Sequence, residues 1–317
     1  MPLPPSRRMN FSEVPVVDIG PLVAGDSRGS DEVIANIDRA CTEVGFMYAV
    51  GHGVPRSVVQ AAVDATRGFF ALPLERKMEV WMGHSDQFRG FIPNKAGGTK
   101  SAKNHREGYI IRAERPRSAD QPMDGPNQWP KHPREFEGAM RAYYEATDGL
   151  ARILRRGFSR ALGLHANALE PMFEHSMTQL KLNYYPAQDS PEKEDEIGLV
   201  AHADSGAFTI LWQDDVGGLE TVNREGEWVV VPPIPDAFVI NIGDILQAWS
   251  NGRFSSTPHR VINRYGTERI SIPLFVNPNY NTVVKPLVGA APPEFVPFVS
   301  GEYQTDVYDR LYPRAPA

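Results

Sequence analysis

Cysteine is almost absent: Cys41 is the only one in 317 residues. A lone cysteine excludes an intramolecular disulfide and any zinc cluster built on cysteines, and it makes a reducing, cytoplasmic location the default expectation. Long apolar runs are also missing. No uninterrupted stretch approaches the roughly 20 residues needed to span a bilayer, so no membrane partner is expected. The N-terminal MPLPPSRRMNFSEVP carries basic residues with no apolar segment after them, and does not read as a secretory signal. An excess of positive charge is lacking as well. The net charge of −6 argues against nucleic acid as a partner. Internal repeats and low-complexity segments are absent. What remains is a chain long enough for one large domain with a sizeable core, with a small molecule as the expected partner and a monomer as the default state.

The first half reads as mostly helical. VPVVDIG at 14–20 is a short strand closed by glycine. Ser30 is placed to cap a helix whose Val33, Ile34, Ile37, Cys41 and Val44 share one face, with Gly45 at its end. FMYAVGHGVP is a strand entering a turn, and a second helix runs through Val58, Val59, Ala62, Phe69 and Phe70 until Pro73. Residues 84–130 are rich in Gly, Pro, Lys and Arg around an apolar island at Tyr109–Ile111, and read either as a binding loop or as a solvated surface loop. A long helix is predicted from about Pro133 to Leu164. From Met177 onward the chain switches to short β-rich runs, QLKLNYYP, AFTILWQ, GLETV, EWVVVPP, AFVINIG, HRVIN and RISIPLFVNP, whose regular spacing suggests a double-sheet jelly roll or barrel. The chain thus divides into an N-terminal region (1–125), a scaffold helix (126–176), a β core (177–285) and a C-terminal extension (286–317).

In LVAHADSGAFTIL, His202 and Asp204 stand two apart ahead of an apolar run. Strand side chains alternate faces, so on a strand the pair would aim at one point. Of the other histidines, only His259 begins a later strand of the β region. Two histidines and one carboxylate on one face are the ligand set of non-haem Fe(II) oxygenases. A catalytic zinc could use the same three, but there is no H-E-x-x-H helix and no nearby glutamate to serve as base, so iron is preferred.

Arg269 and Ser271 in ERISIPLF are also two apart. An inward arginine in an apolar strand needs an anion, either a buried Asp or Glu or the carboxylate of a ligand, which guanidinium grips as a fork. If HRVINRYGTERIS is a hairpin centred on Gly266, His259 lies opposite Pro273 and shares a face with Arg269 and Ser271. In KLNYYP, Lys181, Asn183 and Tyr185 share a strand face, so Asn183 and Tyr185 can donate to the same ligand.

These residues lie in motifs that resemble the isopenicillin N synthase-like family of Fe(II)/2-oxoglutarate-dependent dioxygenases. The likeness covers nearly the whole chain: VPVVDIG, CTEVGFMYAVGHGVP, FFALPLERK and FRGF in the first half; NYYP, AHADSGAFTIL, INIGDILQAWSNGRFSSTPHRV and RISIPLFVNP in the second. The resemblance implies an α+β fold, a double-stranded β-helix (jelly-roll) core with a helical N-terminal region packed around it. It implies Fe(II) on His202, Asp204 and His259, and 2-oxoglutarate on Arg269 and Ser271 assisted by Asn183 and Tyr185. It further implies O2 as co-substrate, ascorbate as reductant, and oxidation of an unactivated C–H bond (hydroxylation, desaturation or ring closure) with release of succinate and CO2. With Asp204 present, halide has no vacated ligand position. Two alternatives stand: an iron oxidase of the isopenicillin N synthase type that does not use 2-oxoglutarate, and a non-catalytic binding protein on the same scaffold. The substrate pocket is expected to draw on Phe88, Arg89, Phe91 and Tyr109 from the 84–112 loop, and on Phe208, Trp249 and Phe275 near the metal. The basic loop residues Arg89, Lys95, Lys100, Lys103 and Arg106 suit an acidic substrate, and suit a solvated loop face equally.

Overall fold

The computed structural model describes residues 13–94, 105–119, 121–187, 198–263, 266–289 and 295–312. The chain begins with β1 (Val16–Asp18), α1 (Gly20–Ala24), α2 (Ser27–Glu43), β2 (Phe46–Val50), α3 (Arg56–Phe70) and α4 (Leu74–Met78). Next come β3 (Gly90–Ile92), β4 (Glu107–Arg112) and the long helix α5 (Phe136–Ala161). The β-rich part comprises β5 (Gln179–Tyr185), β6 (Leu199–His202), β7 (Phe208–Gln213), β8 (Leu219–Val222), β9 (Trp228–Val230) and β10 (Phe238–Ile242). After α6 (Asp244–Trp249) follow β11 (His259–Val261), β12 (Arg269–Val276), β13 (Val283–Val284), β14 (Phe298–Val299) and α7 (Ser300–Leu311).

Local chemistry accounts for several boundaries. Gly45 ends α2 in the left-handed region at φ 78°, and a Cβ there would meet the Ser255 carbonyl oxygen at 2.1 Å. Ser30 does not cap α2. The helix starts earlier, at Ser27, and the Ser30 hydroxyl donates back to the Asp26 carbonyl. The α5 helix buries Phe136, Met140, Tyr143, Leu150, Leu154 and Phe158 along one stripe, as the spacing predicts. The Tyr143 hydroxyl donates to the Ile272 carbonyl at 3.2 Å, fixing α5 against β12.

Two sheets form the β core. The larger has eight strands in the order β1-β2-β10-β7-β12-β5-β4-β3, and the smaller has four, β6-β11-β8-β9. They face each other: Tyr185, Leu211 and Val239 of the large sheet pack with Leu219 and Val261 of the small one. The other face of the large sheet carries Leu180, Leu182, Ile210, Ile270, Ile272, Leu274 and Val276 into one core with the helical residues Phe69, Phe136, Leu154 and Phe158. Period-two alternation therefore divides every central strand into a helix-facing set and a cavity-facing set.

Two sequence expectations are corrected here. The stretch 84–130 is not wholly irregular. Its apolar island is β4, which pairs with β5, and β3 extends the same sheet. The hairpin centred on Gly266 does not form. His259 pairs with His202 and Thr221 in the small sheet, whereas Arg269 pairs with Tyr185 in the large one. β11 and β12 therefore belong to different sheets.

Candidate active site

His202 ends β6 and His259 begins β11, and the register sets these two residues opposite each other. Their rings lie 4.3 Å apart between centroids. Each Nδ1 faces a backbone carbonyl, Val200 for His202 at 2.9 Å and Thr257 for His259 at 3.3 Å. A proton on Nδ1 leaves each Nε2 as a lone-pair donor aimed the other way.

Asp204 is not on the strand. The alternation argument for the His-x-Asp pair fails because β6 stops at His202, and the turn beyond it carries the carboxylate. Other groups position it. Its Oδ2 accepts from Thr209 Oγ1 at 2.6 Å and from Asn241 Nδ2 at 2.7 Å. Its backbone carbonyl accepts from the Asp244 amide at 2.8 Å. Gly243 permits this close approach, since a Cβ there would sit 2.3 Å from the Gly206 carbonyl oxygen. Oδ1 is left facing the histidines, 3.6 Å from His202 Nε2 and 3.8 Å from His259 Nε2. One ligand atom from each of the three residues lies within 4.8 Å of the others.

The electrostatics suit a dication. Burial, and then the adjacent His259, push the His202 imidazole down to about 3, so it is a neutral donor at neutral pH. Burial works against charge on Asp204, but the imidazoles and the donors Thr209 and Asn241 outweigh it and hold the carboxyl below its ordinary value. Two imidazole nitrogens and one carboxylate oxygen converge, the donor set that non-haem Fe(II) uses with open positions for other ligands. Among the described residues, the cavity wall contains no glutamate to act as the base of a zinc hydrolase.

The same cavity, of about 410 Å³, takes its floor from the large sheet: Lys181, Asn183 and Tyr185 of β5, and Arg269, Ser271, Pro273 and Phe275 of β12. Arg269 is fully buried. Its Nε donates to the Gly217 carbonyl and its Nη2 to Gln213 Oε1 at 3.1 Å. The guanidinium stacks on the Tyr185 ring, 4.9 Å from the centroid. Nη1 has no partner, and among the described residues no carboxylate reaches ion-pair distance of Arg269. An orphaned guanidinium nitrogen in a buried wall calls for an anion. Beside it, Asn183 Nδ2 donates to Ser271 Oγ at 3.4 Å.

The seven proposed substrate contacts separate sharply. Phe275 lines the cavity. Phe208 points to the helices and packs edge-on against Phe158, and Trp249 packs against Phe173. Phe91 and Tyr109 are in the core around Phe69. Phe88 packs against Tyr308 beside a separate surface cavity. Arg89 is fully buried and donates to the Met123 carbonyl and to Asn127 Oδ1, a structural clamp. Of the loop cations, Arg106 reaches the metal cavity, while Lys95, Lys100 and Lys103 lie outside the described residues. Sequence reading missed the contribution of α7, whose Tyr303, Gln304, Val307 and Tyr308 complete the wall. Gln304 anchors the helix by donating to the Ser205 carbonyl at 2.7 Å. The apolar spacing of SGEYQTDVYDRL was the available signal.

The fold and the site together define a jelly-roll, non-haem iron oxygenase, and comparison with known proteins agrees. A profile of the 2OG-Fe(II) oxygenase superfamily matches residues 177–278, and one of the N-terminal region of non-haem dioxygenases in morphine synthesis matches residues 14–132. The homoarginine-6-hydroxylase of Glycine max is 37% identical over 88% of this chain and 89% of its own length. A 2-oxoglutarate-Fe(II) type oxidoreductase of Emericella nidulans is 32% identical over 96% of this chain and 91% of its own. Among solved structures, a Neurospora crassa protein in complex with alpha-KG (2-oxoglutarate) superposes with a TM-score of 0.84 at 26% identity, covering 93% of this chain and 95% of that one. The chain belongs to the 2OG-Fe(II) oxygenase superfamily. It is a non-haem Fe(II)/2-oxoglutarate-dependent dioxygenase acting on a small organic molecule. Dependence on 2-oxoglutarate takes precedence over the oxidase alternative. Among the described residues, no helix is long and apolar enough to cross a membrane.

Proposed function

We propose that His202, Asp204 and His259 hold the Fe(II), and that Arg269 with Ser271 holds the distal carboxylate of 2-oxoglutarate. The observation that carries this reading is the orphaned Arg269 Nη1 in the cavity where the three metal-binding atoms meet. The bound metal supplies oxygen activation, coupled to decarboxylation of 2-oxoglutarate to succinate and CO2, and so oxidises an unactivated C–H bond of the substrate.

The chain supplies position and enclosure. Thr209 and Asn241 pin one Asp204 oxygen and leave the other free. Tyr185 supports the guanidinium from below, Gly217 and Gln213 fix its orientation, and Nη1 remains for the ligand. Asn183 lines the same cavity and bonds Ser271, which supports a role in binding the co-substrate. The α7 helix forms one wall of the cavity. The lone buried Cys41 supports a reducing, cytosolic setting.

The test is an anaerobic titration of Fe(II)-loaded protein with 2-oxoglutarate, followed by the visible metal-to-ligand charge-transfer band. A saturable band, lost in His202→Ala and shifted to higher 2-oxoglutarate concentrations in Arg269→Ala, is the expected result. Iron binding with no band, or an unaffected Arg269→Ala, sinks the assignment.

A further inference from the structure

Among the described residues, the cavity wall holds three cations besides Arg269: Lys181, Arg106 and Arg310. Arg310 is exposed on α7 and donates through Nε to the Asp306 carbonyl at 3.1 Å, which leaves Lys181 and Arg106 as the inner pair. Lys181 is 7% exposed and lines the cavity on the same β5 face as Asn183 and Tyr185. Its Nζ contacts the Tyr312 hydroxyl at 3.2 Å. Arg106, just before β4, reaches the same wall and donates to Asn183 Oδ1 at 3.1 Å. Among the described residues, no carboxylate lies within ion-pair distance of either. The neighbouring buried ion pair shows the contrast: Lys77 meets Glu107 at 2.6 Å.

Strand register separates Lys181 from the Arg269 clamp, while Arg106, one residue before the Glu107–Tyr184 pair, starts level with Tyr185 and reaches back along the wall to Asn183. Along β5, Tyr185 stands opposite Arg269, Asn183 opposite Ser271, and Gln179 opposite Phe275. Lys181 therefore lies beyond Asn183, on the far side from Arg269 and about 13 Å of strand from Tyr185. The surroundings at that end are largely apolar: Phe275 from β12, and Val307, Tyr308 and Leu311 from α7. The other acid in the wall, Asp244, is already engaged. Its two oxygens accept from Tyr303 and Ser256, each at 2.8 Å.

We infer that Lys181 and Arg106 form the anion-recognition end of the substrate site, so that the prime substrate is a small organic acid with an apolar body. Its carboxylate sits between the ammonium and the guanidinium, while its body packs on Phe275, Val307 and Tyr308 and reaches toward the metal. In the protein alone, burial and then Arg106 hold the Lys181 ammonium well below its ordinary value, and an anion between the two cations offsets both effects. The inference rests on the iron and 2-oxoglutarate assignment.

The experiment uses the anaerobic protein loaded with Fe(II) and 2-oxoglutarate. Phenylpropionate, phenylbutyrate and indole-acetate are titrated calorimetrically, each against its own carboxamide. At least one acid is expected to bind roughly tenfold tighter than its amide, about 1.4 kcal/mol. Lys181→Met, which keeps the stem volume, and Arg106→Gln each collapse that preference to about twofold or less. Arg106 is only partly buried, so its variant remains informative if Lys181→Met fails to fold. A normal charge-transfer band with no acid preference in any pair, or a preference that survives in both variants, overturns the anion site and leaves the cofactor assignment intact. Absence of the band in the wild type overturns the cofactor assignment, and the anion site with it.

Discussion

His259 and Arg269 belong to different sheets, and both face one cavity. On the proposed assignment, the metal-binding edge and the carboxylate clamp come from different sheets, and a co-substrate bound at both bridges them. Replacing Arg269 with alanine removes a fully buried charge that bonds its own wall on one side and a ligand on the other. The 2-oxoglutarate affinity should fall by about 3 kcal/mol, roughly a hundredfold. Arg269→Lys should recover little of this, because an ammonium cannot reproduce the fork. Charge-transfer titration of both variants measures it, and a lysine variant as tight as wild type contradicts the fork geometry.

Asn241 lines the cavity and donates from Nδ2 to Asp204 Oδ2 at 2.7 Å. Asn241→Ala should leave the fold intact by circular dichroism and weaken metal binding about 10- to 100-fold, the usual effect of losing a partner that orients a ligand. Competition with a fluorescent chelator reads this directly. Unchanged affinity would mean that Thr209 alone suffices.

Metal should stabilise the chain by mass action. At about 100 times its dissociation constant, a metal that binds only the folded state adds about 2.7 kcal/mol. Denaturant midpoints with Mn(II) and with excess chelator test this, and His259→Ala should abolish the difference. A gain retained in that variant would place the ion elsewhere.

Phe208 and Phe275 lie on strands of the same sheet but on opposite faces. Phe208→Ala should destabilise the protein by about 3–5 kcal/mol through its core cavity. Phe275→Ala should cost far less stability and instead alter which small molecules stimulate succinate formation. Equal stability losses in the two variants would contradict the division of faces.

Burial, and then Asp38, raise the Cys41 thiol well above its ordinary value. Native protein should therefore resist thiol reagents at pH 8 and release one reactive thiol only when unfolded. The sign for stability follows from the raised value. The unfolded chain loses the thiol proton above about pH 8.5 and the folded chain keeps it, so stability falls as pH rises, by up to ~1.4 kcal/mol per pH unit. Cys41→Ala should flatten that fall between about pH 8.5 and 9.5. Rapid stoichiometric labelling of native protein would refute it.

The sequence alone determined what depends on short-range chemistry. Alternation in β5, β7 and β12, the α5 stripe and the Gly45 stop are local patterns, and the structure follows them. Residue types and the family motifs marked His202, Asp204, His259 and Arg269 as candidates, and the structure brings all four to one cavity. Only the tertiary structure decided what depends on pairing between distant segments. Sheet membership of β11 and β12 reversed the hairpin, since their partners β6, β8, β5 and β7 come from elsewhere in the chain. Burial turned Arg89, Tyr109, Phe208 and Trp249 into core, because an aromatic beside a motif looks the same in sequence whichever face it occupies. The support for Asp204 came from Thr209 and Asn241, and the far wall came from α7. Those contacts exist only after the jelly roll closes, when the end of the chain is brought back over the cavity.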